Sequence, residues 1–358
     1  GSILFPDLLE TLMTLKTLAA LAATVLLIGA CATPVSVSDP VPAVPEWHLA
    51  IHGGAGVILR DSLSAEQEAA YVAALNLAME AGAAVLREGG SAVDAVQAAV
   101  LPMENNPLFN AGYGAVFASN GTHELDASIM DGRDRDAGSV AGVMHVKNPI
   151  LAARAVMDKS EHVMFAGAGA DAFAESQGLE MVENTYFDTE RRKNDLQRLL
   201  ESRAGTPVAQ RRTAADRFGT VGAVAIDNQG NLAAATTTGG MTAKAPGRVG
   251  DAPLVGAATY AENGVCAVSA TGHGEYFIRV GVAKTICDRV KFLGETVGEA
   301  AQVALGEVAS LGGDGGVIVI DGAGQVDFVF NSAGMYRGET SAQGATTAIF
   351  GDEPEGNE

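Results

Sequence analysis

A threonine at the start of a strand pattern is the residue best placed to act as a nucleophile. Gly219 and Thr220 stand between a polar, Arg-rich stretch at 191–217 and an alternating run of small and β-branched residues at 221–227. If the Gly219–Thr220 bond is cut, Thr220 gains a free α-amine, whose reference pKa of ~7.7–8.0 leaves part of it unprotonated at neutral pH. A hydroxyl nucleophile needs such an adjacent base. The plainer interpretation is a strand cap. Motifs elsewhere in the chain are needed to choose between a strand cap and a nucleophile.

The elements that position Thr220 follow from hydrophobic periodicity and turn signals. Strands are predicted at 47–52, 124–130, 139–146, 163–165, 221–226, 232–238, 265–270, 317–320 and 326–330, and helices at 65–87, 91–103, 152–157, 276–292 and 297–310. Antiparallel hairpins with grouped helices indicate an α+β sandwich and not a wound βαβ sheet. We find no internal repeat, so 47–358 is predicted to be one domain, interrupted by a polar segment at 183–219.

Composition and charge exclude several classes of partner. The 358 residues are 47% hydrophobic, enough for a sizeable core, and the formal net charge is −20. Without a basic stripe, nucleic acid and anionic membrane surfaces are poor partners.

The cysteines do not have the spacing of a metal site. Cys266 falls in a strand pattern and Cys287 in a helix pattern. An oxidising compartment would permit a disulfide, but two buried free thiols are the expected state.

The segment 1–46 is predicted to lie outside the fold. A short basic start at 13–16 precedes an apolar run of thirteen residues at 18–30, too short to span a membrane, and then Cys31. This order resembles a bacterial lipoprotein signal in which Cys31 is acylated, and 34–45 has the prolines of a tether. An ordinary secretory signal cut near Ala30 or Ala32 is the alternative. We therefore expect export to the periplasm or cell envelope, with the membrane contacted only through the lipid.

Several further motifs occur in a fixed order and together carry a family resemblance. They are HGGAG (52–56), NPLFNAG (106–112), ELDA with MDG (124–127, 130–132), GTVGAV (219–224), TTGGMT (237–242), PGRVGD (246–251) and TGHGE (271–275). Their order resembles that of the plant-type L-asparaginase/isoaspartyl peptidases, which are N-terminal-nucleophile hydrolases, over residues 49–350. The resemblance implies a four-layer αββα sandwich, self-cleavage into 47–219 and 220–358, and a dimer of such cleaved pairs.

The resemblance also assigns the catalytic residues. Thr220 matches the nucleophile, and Thr238 matches a threonine whose hydroxyl hydrogen-bonds it. Thr271 and Gly272 match an oxyanion hole, while Asn110 matches an asparagine that orders the site. Loss of one oxyanion donor typically costs ~10²–10³ in rate.

The resemblance assigns substrate binding to a second group of residues. Arg248 can hold a carboxylate with its planar fork, and Asp251 can accept from an α-ammonium group. Gly274 matches a residue whose carbonyl also faces the ammonium. No cofactor is required, whereas the segment 103–114 resembles a loop that wraps a structural sodium ion with backbone carbonyls.

These residues predict hydrolysis of isoaspartyl peptides and of L-asparagine. A glycosylasparaginase, which cuts the bond between a sugar and asparagine, is the nearest alternative; the 237–242 and 271–275 motifs favour the isoaspartyl branch. A surface lipoprotein that binds aspartyl ligands without turnover is the alternative from another class.

Overall fold

Two β-sheets form the centre of the molecule. The computed structural model describes residues 46–204 and 219–353, and all of them belong to one compact unit. In chain order the strands are β1 His48–Gly56, β2 Leu125–Asp131, β3 Ala137–Val143, β4 Met164–Ala166, β5 Val221–Ile226, β6 Leu232–Thr238, β7 Thr259–Glu262, β8 Cys266–Gly272, β9 Gly315–Asp321, β10 Val326–Phe330, β11 Gly334–Ser341 and β12 Gly344–Phe350. The α-helices are α1 Ala65–Arg87, α2 Ala92–Glu104, α3 Pro149–Lys159, α4 Gly167–Ser176, α5 Glu190–Arg203, α6 Gly274–Val280, α7 Val282–Leu293 and α8 Val297–Ser310.

The sheets are layered between helices. The larger sheet has the order β12-β11-β1-β5-β6-β2-β3-β4 and the smaller one β10-β9-β8-β7. Helices α1 to α3 pack on the outer face of the large sheet, and α7 and α8 pack on the small one. Strands β1, β5 and β6 contact β8 and β9 across the interface. This arrangement confirms the predicted α+β, four-layer αββα sandwich.

The central strand β5 shows why small residues dominate here. Every residue of β5 is buried, because one face meets the helices and the other meets the second sheet. Successive side chains point to opposite faces. Ala223 and Ala225 therefore belong to the core between the large sheet and its helices. Val224 and Ile226 belong to the second core, which lies between the two sheets and extends to the helices on the small sheet.

The structure differs from the sequence prediction in several elements. The polar segment after 183 contains α5, whose Thr189 cap accepts a hydrogen bond from the Arg192 amide. Only two residues of α5 are buried, Arg192 and Leu199, so it shows little apolar periodicity. The helix predicted at 276–292 is two helices, because Gly281 adopts left-handed angles (φ 64°, ψ 48°) between α6 and α7. Helix α4 and the β11–β12 hairpin were not predicted.

The prediction of two free thiols was wrong. Cys266 of β8 and Cys287 of α7 form a disulfide, with their Cα atoms 5.6 Å apart. Strand β8 and helix α7 pack directly against each other in one core, and their packing cannot be inferred from a separation of 21 residues. The disulfide ties α7 to the strand that ends at Gly272.

Helix α1 has the length and apolarity of a membrane span. It is the one such helix among the described residues. Its inner face, which includes Leu75, Met79 and Leu86, is buried in the core between the large sheet and its helices. Helix α1 is therefore part of the core of the fold.

Candidate active site

The pairing of β5 with β6 brings two threonines together. Val221 lies opposite Thr237 in the antiparallel register. Thr220, just before β5, and Thr238, the last residue of β6, therefore lie side by side where the two strands end. The Thr220 Oγ1 donates to Thr238 Oγ1 at 3.1 Å. The same Thr238 oxygen accepts from the Gly240 amide at 3.0 Å, which fixes its position. Both threonine side chains are largely buried.

The predicted cleavage bond is pressed against the end of β1. A Cβ added at Gly219 would lie 2.0 Å from the Gly54 Cα, and one added at Gly54 would lie 2.4 Å from the Gly219 Cα. Gly54 also has a φ of 113°, which a side chain would disfavour. Only glycine fits at either position, and this explains the glycines that precede Thr220 and follow His52.

The end of β8 supplies the predicted oxyanion hole. Thr271 is fully buried, and its hydroxyl accepts a long hydrogen bond of 3.4 Å from the Ala55 amide. Gly272 follows as the last residue of β8. Both residues therefore lie beside the end of β1 that Gly219 contacts.

A single cavity collects most of the predicted residues. Its lining comes from strand ends and from the loop after β6: Ala55, Gly219, Thr220, Thr238, Gly240, Met241, Arg248, Gly250, Asp251 and Gly272. Thr220, Arg248 and Asp251 thus border the same space.

Arg248, Asp251 and Gly274 meet on one side of this cavity. A Cβ added at Gly274 would lie 2.7 Å from Asp251 Oδ1 and 3.0 Å from Arg248 Nη2. Glycine is required here because the loop and the start of α6 are in contact. Burial raises the pKa of Asp251 to about 7, although the nearby Arg248 charge opposes the shift. An ammonium group beside Asp251 would favour its ionised form.

Two acidic residues that the sequence analysis did not assign hold the Arg248 segment. The Glu275 carboxylate accepts from Arg248 Nε at 3.0 Å and from Nη2 at 2.9 Å. The Glu124 carboxylate accepts from the Gly247 amide, at 3.0 and 2.9 Å to its two oxygens. Both glutamates belong to motifs of the family resemblance, and that was the available signal.

Asn110 lies behind the cavity wall. Its Nδ2 donates to the Gly240 carbonyl at 2.7 Å, and its Oδ1 accepts from the Val116 amide at 3.0 Å. The Gly239 amide donates to its carbonyl at 3.1 Å. The structure therefore places Asn110 where it orders the turn after Thr238, without lining the cavity.

A buried chain of hydroxyl groups runs between the sheets, and nothing in the sequence analysis predicted it. His52 Nε2 lies 2.9 Å from Ser269 Oγ, which lies 2.7 Å from Thr236 Oγ1. Thr259 joins Thr236 at 2.6 Å and Ser128 at 2.7 Å. Burial lowers the pKa of His52 to about 3, despite an opposing contribution from the Thr220 backbone, so His52 is neutral.

The segment 103–114 is packed closely around two glycines. A Cβ added at Gly112 would lie 2.2 Å from the Glu104 carbonyl oxygen. One added at Gly114 would lie 2.0 Å from the Phe109 oxygen and 3.0 Å from the Pro107 oxygen. These two glycines therefore let the segment fold tightly back on itself, because a side chain at either position would collide with a backbone carbonyl. Across 46–204 and 219–353 there is no cluster of three or more His, Cys, Asp or Glu for a metal.

Some predicted features cannot be located. Cys31 and the tether at 34–45 lie outside the described residues, as does the stretch 205–218 that leads to Gly219.

Comparison with known proteins agrees with the site geometry. A family model described as "Asparaginase" matches residues 45–349. The chain is 50% identical over 295 residues to an isoaspartyl peptidase of Salmonella typhimurium, covering 81% of this chain and 93% of the relative. It is 49% identical over 296 residues to the Escherichia coli isoaspartyl peptidase, covering 81% and 91%. A human isoaspartyl peptidase/L-asparaginase is 44% identical over 273 residues, covering 76% and 85%. The chain therefore belongs to the asparaginase family of N-terminal-nucleophile hydrolases.

Proposed function

We propose that this hydrolase removes β-linked aspartyl residues from isoaspartyl peptides and converts L-asparagine to aspartate and ammonia. The observation that carries the proposal is the cavity that Thr220 shares with Arg248 and Asp251. A nucleophile and a carboxylate–ammonium clamp border one space, as the hydrolysis of an aspartyl side-chain amide requires. The names of the relatives support the same substrate class.

The first step of the mechanism produces the base. The Thr220 hydroxyl attacks the Gly219 carbonyl carbon, the peptide nitrogen leaves as the Thr220 α-amine, and water hydrolyses the resulting ester. The contact of Gly219 with Gly54 supports this step, because it holds the bond at the cavity wall. Before cleavage the α-amine is an amide nitrogen and cannot accept a proton.

The second step uses the new amine in turnover. The α-amine takes the hydroxyl proton while Thr220 Oγ1 attacks the side-chain carbonyl of the substrate. The Thr271 hydroxyl and the Gly272 amide stabilise the oxyanion. Ammonia or the peptide amine leaves with that proton, and water then hydrolyses the aspartyl ester. Thr238, 3.1 Å from Thr220 Oγ1, orients the nucleophile.

The clamp explains how a strongly acidic protein binds an anionic group. The Arg248 guanidinium meets the substrate α-carboxylate, and Asp251 meets the α-ammonium together with the Gly274 carbonyl. The buried Asp251 becomes fully ionised when the ammonium arrives.

Parallel assays separate the proposed activity from its alternatives. Purified protein should hydrolyse β-aspartyl-leucine and L-asparagine faster than an asparagine-linked sugar. Preference for the linked sugar would favour the glycosylasparaginase alternative. An uncut protein that binds aspartate without turnover would favour the binding-protein alternative.

Export, anchoring and assembly complete the proposal. The apolar run at 18–30 followed by Cys31 supports an exported, acylated protein in the cell envelope. Two acyl chains give stable anchoring, whereas one chain is marginal. Cys31→Ala should release the protein from membranes, and unchanged membrane association would contradict acylation.

Two cleaved pairs should associate as a dimer, with a mass measurable by light scattering.

Sodium would have a structural role in this proposal. Backbone carbonyls of the segment 103–114 would hold it, and it would stabilise the loop that carries Asn110. Replacing sodium with choline in the buffer should lower the Tm, and an unchanged Tm would contradict the site.

A further inference from the structure

The two edges of the Arg248 guanidinium face different surroundings. Glu275 takes one edge, through Nε at 3.0 Å and Nη2 at 2.9 Å. On the other edge, a Cβ added at Gly250 would lie 2.8 Å from Nη1. Nη1 therefore lies against Gly250 and Nη2 against Gly274, where any larger residue would collide with the guanidinium.

Glu275 stands outside the cavity that Arg248 lines. Arg248, Gly250 and Asp251 all border that space, whereas Glu275 is not among the described residues that line it. The Arg248 side chain is 17% exposed and the Glu275 side chain 49% exposed. Glu275 is thus the more exposed of the two partners, and it lies outside the space that Arg248 shares with Thr220 and Asp251.

This division has an energetic consequence. Arginine is a long side chain, and ordering it on binding costs rotamer entropy. A partner that already holds the guanidinium in place removes part of this cost before the substrate arrives. The Arg248 hydrogen bond and charge hold the pKa of Glu275 below its usual range, although burial alone would raise it. Glu275 therefore stays ionised at neutral pH.

We propose that Glu275 is a positioning residue that holds the Nε edge of Arg248, so that the Nη1–Nη2 edge is presented to the substrate α-carboxylate. The inference rests on the proposed clamp and adds a specificity determinant to it. Glu275 is the second residue of α6 and follows Gly274 directly. The start of α6 therefore contacts both halves of the clamp, since Gly274 abuts Asp251.

The opposite role for Glu275 makes a different prediction. If Glu275 were a competitor that occupies Arg248 until substrate displaces it, its removal would lower KM. If it is a positioning residue, its removal raises KM. The reaction at Thr220 does not involve Glu275 in either case, so kcat separates both roles from a structural collapse.

The test compares Glu275→Gln and Glu275→Ala with wild type on β-aspartyl-leucine. Loss of charge-assisted hydrogen bonds should raise KM about tenfold, with kcat nearly unchanged. The dissociation constant of L-aspartate, measured by calorimetry without turnover, should rise in parallel. Both variants should still be cut at Gly219–Thr220, because that step needs no clamp.

A matched control is available at the end of α7, where Arg289 of the helix meets Glu295 of the loop that follows it. Arg289 and Glu295 form the same two-point contact, through Nε and Nη2, away from the cavity. Glu295→Gln should therefore leave KM and L-aspartate binding unchanged.

Three results would overturn the inference. These are an unchanged KM, a lowered KM, or a fall in kcat at constant KM in both Glu275 variants. A wild-type protein without activity on β-aspartyl-leucine would instead contradict the proposed function, so the two failures can be told apart.

Discussion

The cavity has two ends, one at the proposed nucleophile Thr220 and one at the proposed clamp, and they are built in different ways. At the nucleophile end, Thr220, Thr238 and Thr271 are neutral hydroxyls at the edges of buried strands, and strand pairing fixes their positions. At the clamp end, Arg248 and Asp251 are charged residues on a loop. Their positions depend on side-chain contacts with Glu275 and on the close approach of Gly274.

This difference separates reaction from recognition. Sites built on strands are held more accurately than sites on loops, and bond making needs that accuracy. Recognition of a charged head group depends on a few strong contacts that a loop can supply. Changes at the nucleophile end should therefore affect cleavage and turnover together, whereas changes at the clamp should affect substrate binding alone.

The largest effect is expected from Thr220→Ala. Without the hydroxyl, neither the Gly219 carbonyl nor the substrate is attacked, so the protein should stay a single chain and lose activity by ~10⁴-fold or more. Gel electrophoresis and an ammonia-release assay measure both. Thr220→Ser keeps a hydroxyl and is the matched control, which should still be cut. Cleavage in Thr220→Ala would show that the nucleophile end is misassigned.

Arg248→Ala should give the next largest effect and leave cleavage intact. Truncating one partner of a desolvated charged contact typically costs ~2–5 kcal/mol, or about 30- to 4,000-fold in binding. The value of kcat/KM should fall for both β-aspartyl-leucine and L-asparagine. Substrates with an acetylated α-amine should fail likewise, because Asp251 loses its ammonium partner. Good turnover by Arg248→Ala would show that Arg248 is not needed for substrate recognition, and that the clamp end is misassigned.

The pH dependence should sharpen the comparison further. The pKa of Asp251 in the free site is about 7, so below that pH it becomes protonated and cannot pair with an ammonium. Protonation of Asp251 should therefore lower kcat/KM by up to about tenfold per pH unit below 7, in addition to the fall that protonation of the Thr220 α-amine causes. Asp251→Asn should lower the plateau and remove this limb, while the limb due to the Thr220 α-amine remains. An identical profile in Asp251→Asn would contradict the assignment.

Loss of the disulfide should change stability and leave catalysis almost untouched. It joins β8 and α7 in the core, outside the cavity. Replacing both Cys266 and Cys287 by alanine should lower the free energy of unfolding by about 2–4 kcal/mol, and the Tm by roughly 3–6 °C. Scanning calorimetry measures the shift. A large loss of kcat/KM at 25 °C would show that the disulfide positions the oxyanion hole.

The sequence predicted the nucleophile end better than the clamp. Thr220 and Thr238 follow from strand patterns and family motifs, and strand register brings them together. The sequence shows Glu275 within the 271–275 motif but does not indicate its role. Its contact with Arg248 depends on how α6 packs against the loop that carries Arg248. Helix α5 was missed because it buries little apolar surface, and the disulfide because the packing of β8 on α7 has no local signature.

The central claim is that Thr220 becomes a catalytic N-terminal residue. Intact-mass spectrometry of purified protein, sampled during an ammonia-release assay, tests it most directly. We expect a fragment that begins at Thr220, and activity that rises in proportion to its amount. Full activity in a protein that remains a single uncut chain would contradict this claim.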